Sequence, residues 1–416
     1  MPKFIADFHI HSRYSRACSK NLSIPELSKW AKIKGVGLLG TGDFTHPLWM
    51  NELKDTLRET SSGFYEHAGS AFVLSSEVST LYYKAGKAHQ IHHILLAPSI
   101  ASVERINKAL AAFGSLTSDG RPWLRLSAKQ LVEIVLGLEP RAMVIPAHIW
   151  TPHFSMFGSR SGFDTIEQCF EEQTPNIFAL ETGLSSDPVM NSRLKALDRY
   201  AMISNSDTHS ARRMGREANI FDCPMTYDAV TQALKTNDRK AFVSTIEFFP
   251  EEGKYHYDGH RNCKISWAPS ETKQHGGLCS VCGRKVTVGV MHRVDTLADR
   301  PEELAASSAR PFQRLVPLDE IISEVLDVGV GTQAVEREYK KLIHQCGTEF
   351  NVLLDRDEEA LRAVTTPMIA EAICRIRTGN IAVEPGYDGE YGKVHIFGDV
   401  SAKENTTAAE QQLTLF

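Results

Sequence analysis

Residues 4–11 read FIADFHIH, an apolar run with the texture of a β-strand that ends in two histidines, His9 and His11. Side chains two residues apart in a strand share a face, so the two imidazoles can bind one ion together. The same grammar recurs along the first half of the chain. GVGLLGTGD (35–43) ends in Asp43, AFVLSSE (71–77) in Glu77 and AMVIPAH (142–148) in His148. QIHHILL (90–96) carries His92 and His93, and AMISNSDTH (201–209) ends in Asp207 and His209. Parallel α/β folds gather the C-terminal ends of their strands on one face, where loops and ligands meet. A lone histidine at a strand end is more often a satisfied structural residue. The series as a whole points to a site for several divalent ions.

Between these strands lie helical patterns. Ser23 and Glu26 form a capping box, with Pro25 in the first turn, ahead of LSKWAKIKG. SVERINKALAAF, SAKQLVEIVLGL, MNSRLKALDRY and TYDAVTQALKT follow. At least six strand–helix alternations precede Phe249 and predict an α/β barrel over residues 1–250. The pattern breaks at EFFPEEGKYHYDGHRN. Residues 251–300 are poor in apolar periodicity and hold a metal-knuckle pattern, and residues 301–398 read as mainly helical. Residues 399–416 are polar until their last few positions, which predicts a flexible tail.

The composition, with 42% hydrophobic and 23% charged residues, is that of a globular protein. No apolar run is long enough to span a bilayer, so no membrane partner is expected. MPKFIADFHIH runs straight into a strand pattern, so no signal peptide is expected. The eight cysteines are scattered except for a cluster between Cys263 and Cys282, which is not a disulfide framework. A cytoplasmic setting is expected. The net charge of −5 counts against nucleic acid, yet carboxylate ligands bias that total, and binding depends on where the cations lie. Arg13, Arg16 and Lys20 follow the first histidine pair, and Arg212, Arg213 and Arg216 follow the last ligands. Both runs are expected to meet an anionic substrate, with Arg16 joining Glu77 and Asp207 in the catalytic set.

Glu77 and Asp207 can bridge two cations, which imidazole cannot do. The mixed donor set suits Zn²⁺, Mn²⁺ or Fe²⁺ better than a Mg²⁺ site built from oxygens. Closely spaced ions activate water and neutralise developing phosphate charge, so the implied reaction is phosphoester hydrolysis. FHIHSRYS, TGDF, SSEVS, HHILL, PAHIW and SNSDTHS resemble the motifs of the PHP (polymerase and histidinol phosphatase) superfamily. The resemblance implies a distorted (β/α)7 barrel with two or three catalytic metals. By that resemblance His9, His11, Glu77 and Asp207 hold one ion. Glu77 bridges to a second, held by His148 and one of His92 and His93, with the following ILLAP favouring His92. Asp43 and His209 serve a third. Many relatives place a further third-site histidine near Ala17, where this sequence has Arg16, Ala17 and Cys18.

His260-x-x-Cys263, fifteen residues, then Cys279-x-x-Cys282 is the spacing of a structural Cys₃His zinc knuckle. In LDEIISEVLDVGVGTQAVEREYKKLI, Gly329 and Gly331 precede a helix, as in a helix-hairpin-helix grip on a DNA backbone; a simple turn between helices is an equal reading. The closing QLTLF, with Gln412, Leu413, Leu415 and Phe416, resembles the bacterial sliding-clamp-binding motif.

The order of barrel, knuckle, GVG segment and PGYDGEYG resembles the endonuclease Q family across nearly the whole chain. SGFDTIEQCF, ETGLSSDPVMNSRLKALDRY and DGHRNC extend the match. That resemblance implies DNA cleavage on the 5′ side of hypoxanthine, uracil or xanthine and at abasic sites. It also implies a place beside bacterial DNA, in the nucleoid. Trp150, Phe154, Phe157 and Trp267 are aromatic candidates to hold an extruded base, and core packing explains each equally. The same ligands would serve a PHP phosphatase acting on a small phosphomonoester. A non-catalytic, clamp-associated DNA-binding protein is the third reading.

Overall fold

A computed structural model describes residues 3–398. Strand β1 (Phe4–Asp7) runs parallel to β2 (Leu38–Gly40), and β2 runs parallel to β3 (Ser70–Lys84). β4 (Lys87–Ala97) folds back on β3 as a long antiparallel arm, and β5 (Met143–Pro146), antiparallel to β4, restores the direction of β3. β6 (Ala179–Glu181) and β7 (Ala201–Ile203) run parallel to each other. The Ile149 N–H donates to the Glu181 carbonyl (3.0 Å), and a parallel bridge joins Ile10 to Thr208. Among the described residues the ring thus closes through seven strands, with β4 alone reversed. That reversal is the distortion of the expected (β/α)7 barrel.

Helices clothe the ring. α1 (Ile24–Lys34) is capped by Ser23, whose hydroxyl accepts the Glu26 N–H, but the Glu26 carboxylate turns to the Trp30 indole (2.8 Å) instead of closing the box. α1 ends at Gly35, whose φ of +89° suits glycine. α2 (Ile100–Leu110) buries Val103, Ile106 and Leu110 at helical spacing, and α3 (Ala128–Leu138) buries Leu131, Val132 and Val135. The helix expected over 190–200 is broken into one turn at Pro188–Ser192 and a 3₁₀ turn at Lys195–Leu197. The Lys195 N–H is drawn out of the ladder to the Asp299 carboxylate (2.9 Å). α4 (Tyr227–Lys235) links β8 (Ala218–Phe221) and β9 (Phe242–Glu247), which extend the sheet outward from β1. Ala6, Ala147, Ala179 and Ala201 are buried in one apolar cluster with Phe8, Leu38, Ile94 and Ile145.

The second half returns to the barrel at more than one point. Residues 251–300 carry a hairpin of β10 (Asp258–His260) and β11 (Ile265–Trp267). Residues 301–398 are tied to the barrel by a strand. β12 (Phe312–Arg314) pairs in parallel with β9, and Arg314 forms ion pairs with Asp187 and Glu251. Apolar periodicity over three residues is too short a signal for such a strand. Helices α5 (Leu318–Leu326), α6 (Gln333–Cys346) and α7 (Pro367–Arg377) then pack together. β13 (Ala382–Glu384) and β14 (Lys393–His395) return to residues 251–257, with Gly386 N–H donating to Glu251 O (2.8 Å) and Tyr257 N–H to Gly386 O (2.9 Å). No helix among the described residues is long and apolar enough to cross a membrane. Gln412, Leu413, Leu415 and Phe416 lie outside the described residues.

Candidate active site

Glu77 is at the centre. It is fully buried, halfway along β3, and each of its oxygens faces a different set of ligand atoms. Oε2 lies 3.4 Å from His9 Nε2 and 3.2 Å from His11 Nε2, while Asp207 Oδ1 lies 3.6 Å and 3.1 Å from the same nitrogens. Oε1 lies 2.6 Å from His92 Nδ1 and 3.2 Å from His148 Nε2. Two groups result, His9–His11–Glu77–Asp207 and Glu77–His92–His148, each with ligand atoms within 4.8 Å of one another. His9 Nε2 and His92 Nδ1 are buried without an aligned hydrogen-bond partner. Buried lone pairs that converge on carboxylates and lack a donor are what a cation satisfies. The donor set therefore fits divalent ions.

Burial alone would raise the Glu77 carboxyl, but His92, Arg121 and His9 outweigh it and hold the group well below the usual carboxylate range. Asp207 is likewise held down, His9 and His11 overcoming its burial. Asp43, His148 and Asp207 all adopt positive φ (+47°, +30° and +45°), each costing on the order of 1 kcal/mol. The surrounding hydrogen bonds hold these side chains in place against that strain.

Strand register selects between the adjacent histidines. Glu77 pairs with Ile94 and Ser79 with His92, so Glu77 and His92 share a face, whereas His93 pairs with Val78 on the other. His93 hydrogen-bonds the Thr80 hydroxyl (3.1 Å) and stands edge-on to Phe170, away from the cluster. The expected third-metal ligands are also differently employed. Asp43 sits behind His11: Oδ1 accepts from His11 Nδ1 (3.0 Å), and Oδ2 accepts from Ser12 N–H, Ser12 Oγ and Ser15 Oγ. His209 donates from Nδ1 to the Asp207 carbonyl (2.9 Å), and its ring lies 4.6 Å from that of His11.

The basic residues are redistributed too. Arg16 does not reach the cluster: its side chain is 75% exposed and pairs with Asp119. Arg212 and Arg213 are spent on the helical segment. Arg212 donates to Asp319 (2.6 Å) and Glu336 (2.7 Å) between the Trp30 and Tyr339 rings, and Arg213 pairs with Glu320. Charges that pair within a protein are not free for DNA, so these two tie α5 and α6 to the loop that follows Asp207. Gly329 and Gly331 lie on the exposed turn between α5 and α6, with open space where a side chain at Gly331 would stand and the Thr332 methyl 4.0 Å from one at Gly329.

A cavity of about 690 Å³ opens over the cluster, lined by Arg121, His148, Asp207, Arg216, Tyr255 and Tyr391 among others. Of the four aromatic candidates, Phe154 alone is on its wall, stacked on His92 (5.1 Å between centroids). Trp150 and Phe157 are buried against each other, and Trp267 packs under His275.

Beyond the barrel, His260, Cys263, Cys279 and Cys282 converge within 4.8 Å. The neighbouring histidines have other partners: His275 stacks on Trp267, and His292 donates to Asp258 (2.6 Å). Cys279 is brought down to about 6, its burial outweighed by the N–H groups of Cys282 and Val281. Trp267, Cys279 and Val286 are the whole buried apolar cluster of this module among the described residues.

Residues 317–380 match the family described as MJ0043 C-terminal domain. Protein YqxK of Bacillus subtilis is 29% identical over 415 residues, 95% of this chain and 100% of its own. Protein MJ0043 of Methanocaldococcus jannaschii is 31% identical over 253 residues, 59% of this chain, and the chain spans 31% of that protein's length. The crystal structure of the lesion-specific endonuclease PfuEndoQ from Pyrococcus furiosus is similar with a TM-score of 0.84 and 30% identity, covering 96% of this chain and 98% of that one. The chain belongs to the endonuclease Q family. An endonuclease Q solved with a 27-mer duplex bearing an abasic lesion at its active site matches with a TM-score of 0.82 and 30% identity, over 97% of this chain and 100% of that one.

Two residues of this endonuclease Q chain escaped the sequence reading. Glu181 lies behind His9 as Asp43 lies behind His11. Its Oε1 accepts from His9 Nδ1 (3.0 Å) and Asn205 Nδ2 (2.9 Å), and its Oε2 accepts the His148 backbone N–H (2.8 Å). NIFALE ends in a carboxylate like the other runs, so the same rule finds it. Arg121 donates from its NH1 to Glu77 Oε2 (3.0 Å). It lies within a turn sequence, SDGRP (118–122), and no periodicity marks it.

Proposed function

We propose that the chain is a metal-dependent DNA repair endonuclease that hydrolyses the phosphodiester 5′ of hypoxanthine, uracil or xanthine and at abasic sites. The observation that carries this reading is the two-sided environment of Glu77 at the floor of an open cavity. The full-length likeness to an endonuclease Q holding a lesion duplex supports it. In this reading His9, His11, Asp207 and one Glu77 oxygen hold one ion, while His92, His148 and the other oxygen hold a second. Zn²⁺, Mn²⁺, Fe²⁺ or Mg²⁺ there would supply an activated water and neutralise charge on the phosphate.

The chain's own residues prepare that site. Glu181 and Asp43 accept from the Nδ1–H groups of His9 and His11, which fixes the tautomer and leaves both Nε2 lone pairs facing Glu77. Because Asp43 is committed to His11, Ser12 and Ser15, two ions rather than three are the better fit. His260, Cys263, Cys279 and Cys282 would hold a structural zinc. The open turn at Gly329 and Gly331 can approach a DNA phosphate through backbone N–H groups. QLTLF would tether the enzyme to a bacterial sliding clamp beside the nucleoid.

Duplexes carrying one hypoxanthine, uracil, xanthine or abasic site, incubated with enzyme and Mn²⁺ or Mg²⁺ beside a generic phosphomonoester, test the reading. A nick confined to the 5′ side of the lesion is expected, with the monoester untouched. Rapid monoester hydrolysis with intact duplexes would make the chain a phosphatase.

A further inference from the structure

We infer that Arg121 is a further catalytic residue, a fixed cation that contacts the scissile phosphate beside Glu77. The inference rests on the phosphodiester-cleaving reading above. The turn before Arg121 is built to deliver it. Gly120 donates its N–H to Tyr14 O (3.0 Å) and accepts Thr45 Oγ1 at its carbonyl (3.1 Å). A Cβ there would fall 2.2 Å from Ser15 Oγ and 2.3 Å from Asp43 Oδ2, so only glycine lets the backbone pass this close to the layer behind His11. Asp119 accepts the N–H groups of Arg16 (3.3 Å) and Arg121 (3.2 Å), and the Pro122 carbonyl takes the Ser79 N–H of β3 (3.0 Å). Arg121 is thereby anchored on both sides.

Its guanidinium lines the cavity with His92, His148 and Asp207, and the side chain is 24% exposed. NH1 donates to Glu77, but Nε is buried with no partner. A carboxylate that serves two divalent ions has no need of a third cation. With ions in place, Arg121 adds to a positive floor that an entering phosphate relieves. Guanidinium matches phosphate oxygens in geometry and keeps its charge at every working pH, so it stabilises developing negative charge without competing for the water's proton. It also stands in the region where Asp43 is no longer free to serve a third ion, and it provides that positive charge as part of the chain.

Arg121→Ala and Arg121→Lys, made in the full chain and loaded with metal, test this. Bound metal is counted, inorganic phosphate affinity is measured by calorimetry, and nicking of an abasic duplex is followed in a single turnover. For Arg121→Ala, metal content should be unchanged, phosphate affinity should fall about tenfold, and the nicking rate should fall about a hundredfold. Arg121→Lys keeps a charge beside Glu77, guards against a folding defect, and should fall between the two. Two results would overturn the inference. One is a rate that excess metal restores, which would limit Arg121 to serving Glu77; the other is phosphate affinity and rate both within about twofold of wild type. If the wild type leaves the duplex intact, the functional reading fails, and the phosphate calorimetry still decides the role of Arg121.

Discussion

Behind His9 and His11 stand Glu181 and Asp43, and behind those stand Asn205, Ser12 and Ser15, all buried on strands or their first turns. Behind Cys279 and Cys282 there are backbone N–H groups and two buried apolar side chains, Trp267 and Val286. In the barrel the protein builds the metal site. In the knuckle the proposed zinc would build the protein. Stripping both sites should therefore leave the barrel folded and loosen the hairpin of β10 and β11.

The largest effect that probes this contrast falls on Glu77. Glu77→Ala should cut single-turnover nicking by about a thousandfold or more while thermal unfolding of the barrel stays cooperative, because both ion sites lose a shared ligand. A near-normal rate with metal supplied would remove Glu77 from the centre of the account. Next comes Glu181→Gln. Three N–H groups converge on the two Glu181 oxygens, and an amide offers only one acceptor, so His9 loses its orientation. Catalytic metal affinity, read by titration with a competing chelator, should weaken about tenfold to a hundredfold with little loss of fold. A smaller effect is expected for Cys279→Ser, which should release one equivalent of zinc and raise hydrogen exchange across 255–300. Lesion-duplex affinity should drop about fivefold while hydrolysis of a small artificial phosphodiester holds steady. Unchanged metal content would mean that these cysteines are not ligands. Deleting residues 412–416 should change nicking of short free oligonucleotides by less than about twofold and abolish binding to a purified bacterial clamp. Clamp binding at full affinity would place that contact elsewhere.

The barrel and the candidate ligand clusters at its mouth were legible because strand periodicity and ligand chemistry coincide in one local pattern. Each of FIADFHIH, AFVLSSE and AMVIPAH states both where a strand runs and what it delivers. Glu181 obeys the same rule. For Asp43, spacing places its carboxylate near the site but says nothing about whether it faces an ion or the back of His11, where its Oδ1 accepts from Nδ1. Arg16 and Arg121 show the limit of proximity in sequence. Arg16 follows the first histidine pair and turns to solvent, while Arg121 reaches Glu77 from 44 positions away through a glycine turn with no period to detect. Likewise, Arg212 and Arg213 looked free until α5 and α6, more than 100 residues on, supplied their carboxylates. The strand β12 was hidden because its partner, β9, belongs to the other half of the chain.

The claim on which the rest depends is that one carboxylate, Glu77, is shared by two ions. Anomalous diffraction from crystals of the full chain soaked in Mn²⁺, and recorded also at the zinc edge, reads this directly. Two Mn²⁺ peaks should flank Glu77, one among His9, His11 and Asp207 and one between His92 and His148, with a separate zinc peak among His260, Cys263, Cys279 and Cys282. A single peak that leaves His92 and His148 without an ion, or peaks that do not touch Glu77, would contradict the account.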